Sequence, residues 1–217
     1  MKRIVASAVL GAALVVGVQP AQAGIQTFSS NTTWHVFTGV PPNGPLGNAQ
    51  AVCLQATPPP SPTNCPAGAL DYMFGAGWTA PLTSIPHAFW IWEPGATATK
   101  SPAELAQFFF TKRIWIPGDP GFARISIAAD DFAAVRVNGN LAGHIGSTTN
   151  GALATVAQNS LTTFVITKYL HEGRNRITVR AQNGIGAFSG CGPCTYQEQP
   201  AGVVFDVKIR FREDDDD

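Results

Sequence analysis

Apolar and polar side chains alternate most strictly near the end of the chain. There Val203, Phe205, Val207, Ile209 and Phe211 interleave with Asp206, Lys208 and Arg210. A period of two sends alternate residues to opposite faces of an extended strand, so this segment predicts a strand with one buried face. The pattern recurs upstream: Ile177, Val179 and Ala181 alternate with Arg176, Thr178 and Arg180, Ile125 and Ile127 with Arg124 and Ser126, and Val135 and Val137 with Arg136. Phe89-Trp90-Ile91-Trp92, residues 108–116 and residues 161–166 are rich in aromatic and β-branched side chains, which suit strands. Trp90 and Trp92 share a strand face and are expected to be buried together. Turn signals separate these segments: Glu93-Pro94-Gly95, residues 117–121, and Asn138-Gly139, both of which tolerate positive φ.

The rest of the chain carries weaker patterns. Residues 26–38 alternate loosely enough for one or two strands, and 67–73 suits a strand or a helical turn. Ser101-Pro102-Ala103-Glu104 carries an N-cap serine, a first-turn proline and a glutamate, the start of a short helix. Thr167 can cap one turn through Tyr169-Leu170, while 143–151 is a Gly-, Ser- and Thr-rich loop. No helix of ordinary length is expected. Short strands at close spacing with turns between them predict an all-β fold, an antiparallel β-sandwich or jelly roll.

The first 23 residues stand apart. Lys2 and Arg3 precede the apolar stretch 4–18, and Pro20 then leads into Ala21-Gln22-Ala23, a small-x-small cleavage pattern. This describes a secretory signal peptide with cleavage before Gly24; the apolar run is short for a span of about 20 residues. The expected organisation is leader 1–23, one sandwich domain 24–212 and an acidic, solvated tail 213–217. The protein is then secreted or periplasmic, without membrane insertion after cleavage. Removing Lys2 and Arg3 leaves 12 basic residues, and setting aside the five acids of 213–217 leaves 9 acidic ones, so the body is near +3. No basic stripe marks a nucleic-acid footprint, and a nucleic-acid partner is not expected.

Export also governs the cysteines. In an oxidising compartment Cys53, Cys65, Cys191 and Cys194 predict disulfides that staple long loops. Spacing favours Cys53–Cys65 and Cys191–Cys194, and leaves a crossed pairing open. Cys191-Gly192-Pro193-Cys194 has the sequence of a thioredoxin-type redox site but lacks the helix that would stabilise a thiolate there. A loop staple is the favoured role, with a periplasmic thiol–disulfide oxidoreductase as an alternative.

The second half resembles the galactose-binding-like β-sandwich domains appended to bacterial glycoside hydrolases such as rhamnosidases. The residues that carry the likeness are Phe89-Trp90-Ile91-Trp92, Phe109-Phe110-Thr111-Lys112, 125–131, Val135-Arg136-Val137-Asn138-Gly139, 164–170, 173–179, Asn183-Gly184 and 201–205. The resemblance spans about residues 86–212. It implies the sandwich and a ligand-binding role, with carbohydrate as the first expectation.

Chemistry-bearing residues are sparse. Glycosidase action needs two carboxylates facing a substrate, and the nine acids of the body are scattered, mostly in turns. His35, His87, His144 and His171 are isolated, and no Gly-x-Ser-x-Gly elbow occurs. Asp130-Asp131 suits a turn that accepts backbone N–H groups, and is also compatible with a structural calcium ion; no cofactor is expected. The reading is therefore non-catalytic. For sugar recognition Trp78 and Tyr196, in loop-like surroundings, are the expected platforms, with Asn183, Gln197 and Arg180 as polar contacts at the loop end of the sandwich. The expected partner is a glycan, or alternatively a cell-surface protein bound by a structural or adhesion module.

Overall fold

A computed structural model describes residues 23–39, 44–54, 69–72, 78–184, 195–196 and 198–212. Among these, thirteen strands occur: β1 (Ala23–Ser29), β2 (His35–Phe37), β3 (Gly47–Asn48), β4 (Gln50–Leu54), β5 (Leu70–Tyr72), β6 (Trp90–Trp92), β7 (Gln107–Ile116), β8 (Asp119–Asp130), β9 (Phe132–Val137), β10 (Asn140–Gly146), β11 (Thr162–Val165), β12 (Gly173–Gln182) and β13 (Gly202–Arg212). Two helices, α1 (Thr79–Ser84) and α2 (Gly151–Asn159), and a 3-10 turn at Thr167–Tyr169 accompany them.

The strands form two sheets. The first runs β11-β8-β13-β6-β4-β5, with β1 also paired to β13; the second runs β10-β9-β12-β7-β2-β3. β13 is long enough to hold two neighbours in series, β1 along 206–212 and β6 at Val203. Every ladder is antiparallel except β4–β5. Inward-facing Ile125, Ile127, Val203, Phe205, Val207 and Ile209 of the first sheet meet Phe110, Val135, Val137, Ile177 and Val179 of the second in one core. The result is a two-sheet β-sandwich whose strands bury alternate residues as the sequence pattern predicts. Trp90 and Trp92 are both buried, as expected, and so is Ile91 between them. No described helix is long and apolar enough to cross a membrane.

Asp131 ties one end of the sandwich together. Its carboxylate accepts the Gly184 N–H at 2.6 Å, and its carbonyl accepts from Ser147 at 3.2 Å. A Cβ at Gly146 would lie 1.9 Å from that same carbonyl oxygen, so the backbone packs there only because the residue is glycine.

Two expectations about helices are corrected. Residues 101–105 form a turn with no helix, and the backbone carbonyls of Pro102 and Ala103 are taken by the Asn183 side chain instead. Conversely α2 was not expected. Asn150 caps it by accepting from Ala152 and Leu153, and only Ala154 and Ala157 are buried, so it presents no apolar stripe to betray itself.

Cys53, on β4, is disulfide-bonded. Cys65, Cys191 and Cys194 lie outside the described residues, and with them the two pairings favoured by spacing. The leader and the acidic tail lie outside them as well, apart from Ala23.

Candidate functional site

The outer face of the six-stranded sheet follows from strand parity. On β7, Phe110 and Ile114 point into the core, so Thr111, Arg113 and Trp115 point out. On β12, Ile177 and Val179 point in, so Arg174, Arg176, Thr178 and Arg180 point out. Register joins the two sets: Arg174 lies opposite Trp115, Arg176 opposite Arg113, Thr178 opposite Thr111, and Arg180 opposite Phe109. The Thr111 and Thr178 hydroxyls meet at 3.1 Å. From β9, Arg136 stands beside Thr178 and its guanidinium donates to the Gly139 carbonyl at 2.9 Å.

The charge on this sheet is one-sided. Its strands contain Lys112, Arg113, Arg136, Arg174, Arg176 and Arg180 and not one Asp or Glu. Lys112 has the opposite parity from the arginines; it donates to Thr33 Oγ1 at 2.6 Å, and burial lowers its pKa. The single ion pair among the described residues, Lys208 to Asp206 at 3.9 Å, belongs to the other sheet. The sequence shows no linear basic stripe, yet folding assembles five arginines on one face.

At one end of this face, Arg113, Trp115, Arg174 and Arg176 border an open cleft of about 770 Å³. Trp115 is 59% exposed. The far edge of its indole lies over Gly173, which has φ +85 and where an added Cβ would make ordinary van der Waals contact with the ring at 3.7 Å. The floor is fixed by two asparagines. Asn138, with φ 51, donates through Nδ2 to the Tyr169 carbonyl at 2.9 Å and to Asn175 Oδ1 at 2.8 Å, and accepts from the Arg176 N–H at 2.8 Å. Buried Asn175 donates to the His171 and Gly173 carbonyls at 2.6 and 3.1 Å and accepts from His171 N at 3.1 Å. Both amides therefore spend their donors inside the protein. His171 Nδ1 donates to the Glu172 carbonyl at 2.6 Å, because a carbonyl can only accept. Recognition chemistry in the cleft is thus left to one indole face, to guanidinium groups and to the His171 ring, whose Nε2 faces no partner among the described residues.

The residues expected from sequence to bind ligand fall elsewhere. Trp78 is 2% exposed and stacks on Trp90, ring centroids 4.1 Å apart, while its carbonyl accepts from Trp90 Nε1 at 2.9 Å. Gly202 makes room for it, since a Cβ there would come within 2.8 Å of the Trp78 ring. Tyr196 is fully buried and its hydroxyl donates to the Ala201 carbonyl. Neither ring is an exposed platform; each packs as core, which loop-like sequence surroundings did not reveal. Asn183 is buried and holds the 102–106 turn, donating from its backbone to the Ala106 carbonyl at 2.9 Å. Arg180 lies on the arginine face but is half-buried over the Phe132 ring, 4.8 Å from its centroid. Gln197 lies outside the described residues.

Two acidic side chains elsewhere in the fold, Glu93 and Asp130, have raised pKa values. Glu93 borders a small hollow of about 220 Å³ with Lys100, Phe108 and Tyr196; burial raises its pKa, and the Lys100 charge opposes that rise. Asp130 is half-buried as a residue, yet desolvation of its carboxyl, reinforced by the adjoining Asp131 carboxylate, raises its pKa well above the ordinary value; a hydrogen bond with the Trp78 side chain acts the other way. Among the described residues no three His, Cys, Asp or Glu side chains gather as a metal site.

No family model matches the chain, and no curated protein matches it. Among solved structures, it is similar to Streptomyces avermitilis α-L-rhamnosidase complexed with L-rhamnose, with 23% identity over 55% of this chain and a TM-score of 0.42. It is also similar to Bacteroides uniformis β-glucuronidase, with 16% identity over 87% of this chain and a TM-score of 0.41. A putative β-galactosidase from Bacteroides fragilis gives 18% identity over 84% and a TM-score of 0.40. The chain spans 10%, 18% and 23% of those three chains, so their activities remain statements about those proteins.

Proposed function

We propose that the protein is a secreted, non-catalytic carbohydrate-binding module whose ligand rests on Trp115. The carrying observation is the exposed indole at the border of an open cleft. A flat aromatic face left 59% exposed matches the apolar C–H face of a pyranose. The neighbouring Arg113, Arg174 and Arg176 supply donors for ring oxygens and substituents, as the saturated asparagines do not. The ligand-binding role implied by the sequence resemblance is kept, and its place moves from the loop end to the sheet face. Secretion rests on the leader pattern of residues 1–23.

Glycan-array binding by the purified protein and its Trp115→Ala variant tests the reading. Binding of a defined glycan class is expected, with loss of roughly tenfold or more in affinity in the variant, about 1.4 kcal/mol. Silence across the array, or binding that the variant leaves untouched, would overturn it.

A further inference from the structure

We infer that the ligand is an acidic polysaccharide carrying carboxylates on its sugar rings, bound across Trp115, Arg174, Arg113 and Arg176. This rests on the carbohydrate reading and names the class of glycan. Arg113 and Arg176 face each other directly across the β7–β12 ladder. Like charges directly opposite on a sheet repel and destabilise it. No described carboxylate pairs with either of them, since the one ion pair among the described residues is Lys208 to Asp206. The arrangement is costly for the free protein and is relieved by an anion lying between them.

The adjacent row adds the sugar. Arg174 lies directly opposite Trp115, which puts their Cβ atoms about 5 Å apart. A pyranose stacked on the indole therefore carries a ring carboxylate over the Arg174 guanidinium, whose planar fork matches it through two parallel N–H···O bonds. The next acidic sugar along the polymer falls on the Arg113–Arg176 pair. A single-stranded nucleic acid is a poorer match, because successive bases need successive stacking faces. Here Trp115 is the only aromatic of this face that is mostly exposed among the described residues, with Phe109 buried and Phe37 and Phe132 half-buried.

The test is calorimetric titration of the full chain with polygalacturonate and with the same polymer after carboxyl reduction, which keeps the backbone and removes the charge. At low salt the acid form is expected to bind at least tenfold tighter. That advantage should vanish in Arg113→Gln/Arg174→Gln/Arg176→Gln and persist in Arg124→Gln/Arg210→Gln, a control pair on the outer face of the other sheet. Thermal unfolding checks that each variant is folded. Equal affinity for the two polymers would overturn the anionic class and leave the carbohydrate reading standing. Equal losses in the control pair would reduce the effect to overall charge, and tighter binding of a single-stranded oligonucleotide would reassign the face; either overturns the inference. Failure to bind either polymer overturns it as well, and a silent glycan array would remove the carbohydrate reading with it.

Discussion

Arg113 and Arg176 stand directly opposite each other on the outer face of the six-stranded sheet. Cross-strand pairs of opposite charge contribute roughly 0.2–1 kcal/mol, and like pairs act in the opposite sense. Replacing one arginine by an acid therefore changes a repulsion into an attraction at an exposed position. Arg113→Glu is expected to raise the unfolding midpoint by about 1–4 °C at low salt, using roughly 2–4 °C per kcal/mol for a chain of this size. The gain should shrink at 1 M NaCl, where the screening length falls to about 3 Å. Differential scanning calorimetry at the two ionic strengths checks both parts, and a destabilised variant would show that the pair is neutralised in the free protein.

Trp90 and Trp92 occupy the same strand and are buried to the same degree, yet they differ in one hydrogen bond. Trp90 Nε1 donates to the Trp78 carbonyl at 2.9 Å, whereas Trp92 Nε1 is buried with no partner among the described residues. Losing a buried hydrogen bond costs about 0.5–1.5 kcal/mol net, while removing an already unsatisfied donor recovers part of its desolvation. Both Phe substitutions lose ring area, so the comparison between them isolates the polar part. Trp90→Phe is expected to be less stable than Trp92→Phe by about 1–2 kcal/mol in urea unfolding. Equal losses would mean that the Trp90–Trp78 bond contributes nothing net.

Much of the sandwich was legible because parity is a local property. The alternation of 203–211 and of 176–181 marks strands and their buried faces before any partner is known, and Asn138-Gly139 marks a turn. Asn138 and Gly139 do take positive φ, 51 and 87. What Asn138 does with its side chain was not legible, because Asn175 and Tyr169 come to it only through the fold. The site was hidden for the same reason: Trp115 and Arg174 are joined by register alone. Trp115 shares strand parity with Arg113 and Thr111, not with Phe110 and Ile114, so its exposure was written into β7. Trp78 and Tyr196 misled in the opposite direction, since Gly-rich surroundings suggest a surface but here make space for a ring, as Gly202 does for Trp78.

Gly146 is the position where a single methyl group should matter most. Its φ of +73 disfavours any side chain, and the new Cβ would lie 1.9 Å from the Asp131 carbonyl oxygen. Backbone, not a flexible side-chain tip, would have to move. Gly146→Ala is expected to cost about 2–4 kcal/mol, at the upper end of single substitutions. Gly139→Ala, with positive φ but nothing within 4 Å of the added Cβ, measures the conformational cost alone and should lose about 1 kcal/mol. Chemical denaturation of the two variants separates close contact from φ strain, and equal losses would assign the whole effect to φ.

Asp130 gives the fold a pH dependence of known sign. Desolvation raises its folded-state pKa, the Asp131 carboxylate adds to the rise, and the Trp78 hydrogen bond only partly opposes it. In the unfolded chain the group titrates near an ordinary aspartate value, about 3.9. Between those two values the folded state holds a proton that the unfolded state has released. The contribution of this group to stability is therefore greatest below pH of about 4 and declines as pH rises through the folded-state value. Asp130→Asn keeps an oxygen for the Trp78 indole and removes the titration. The variant should gain on the parent protein steadily as pH rises, so that its midpoint advantage is larger at pH 8 than at pH 3.5. Thermal unfolding of both proteins across that range measures the difference directly. A difference independent of pH would mean that Asp130 ionises in the folded protein as freely as in the unfolded one.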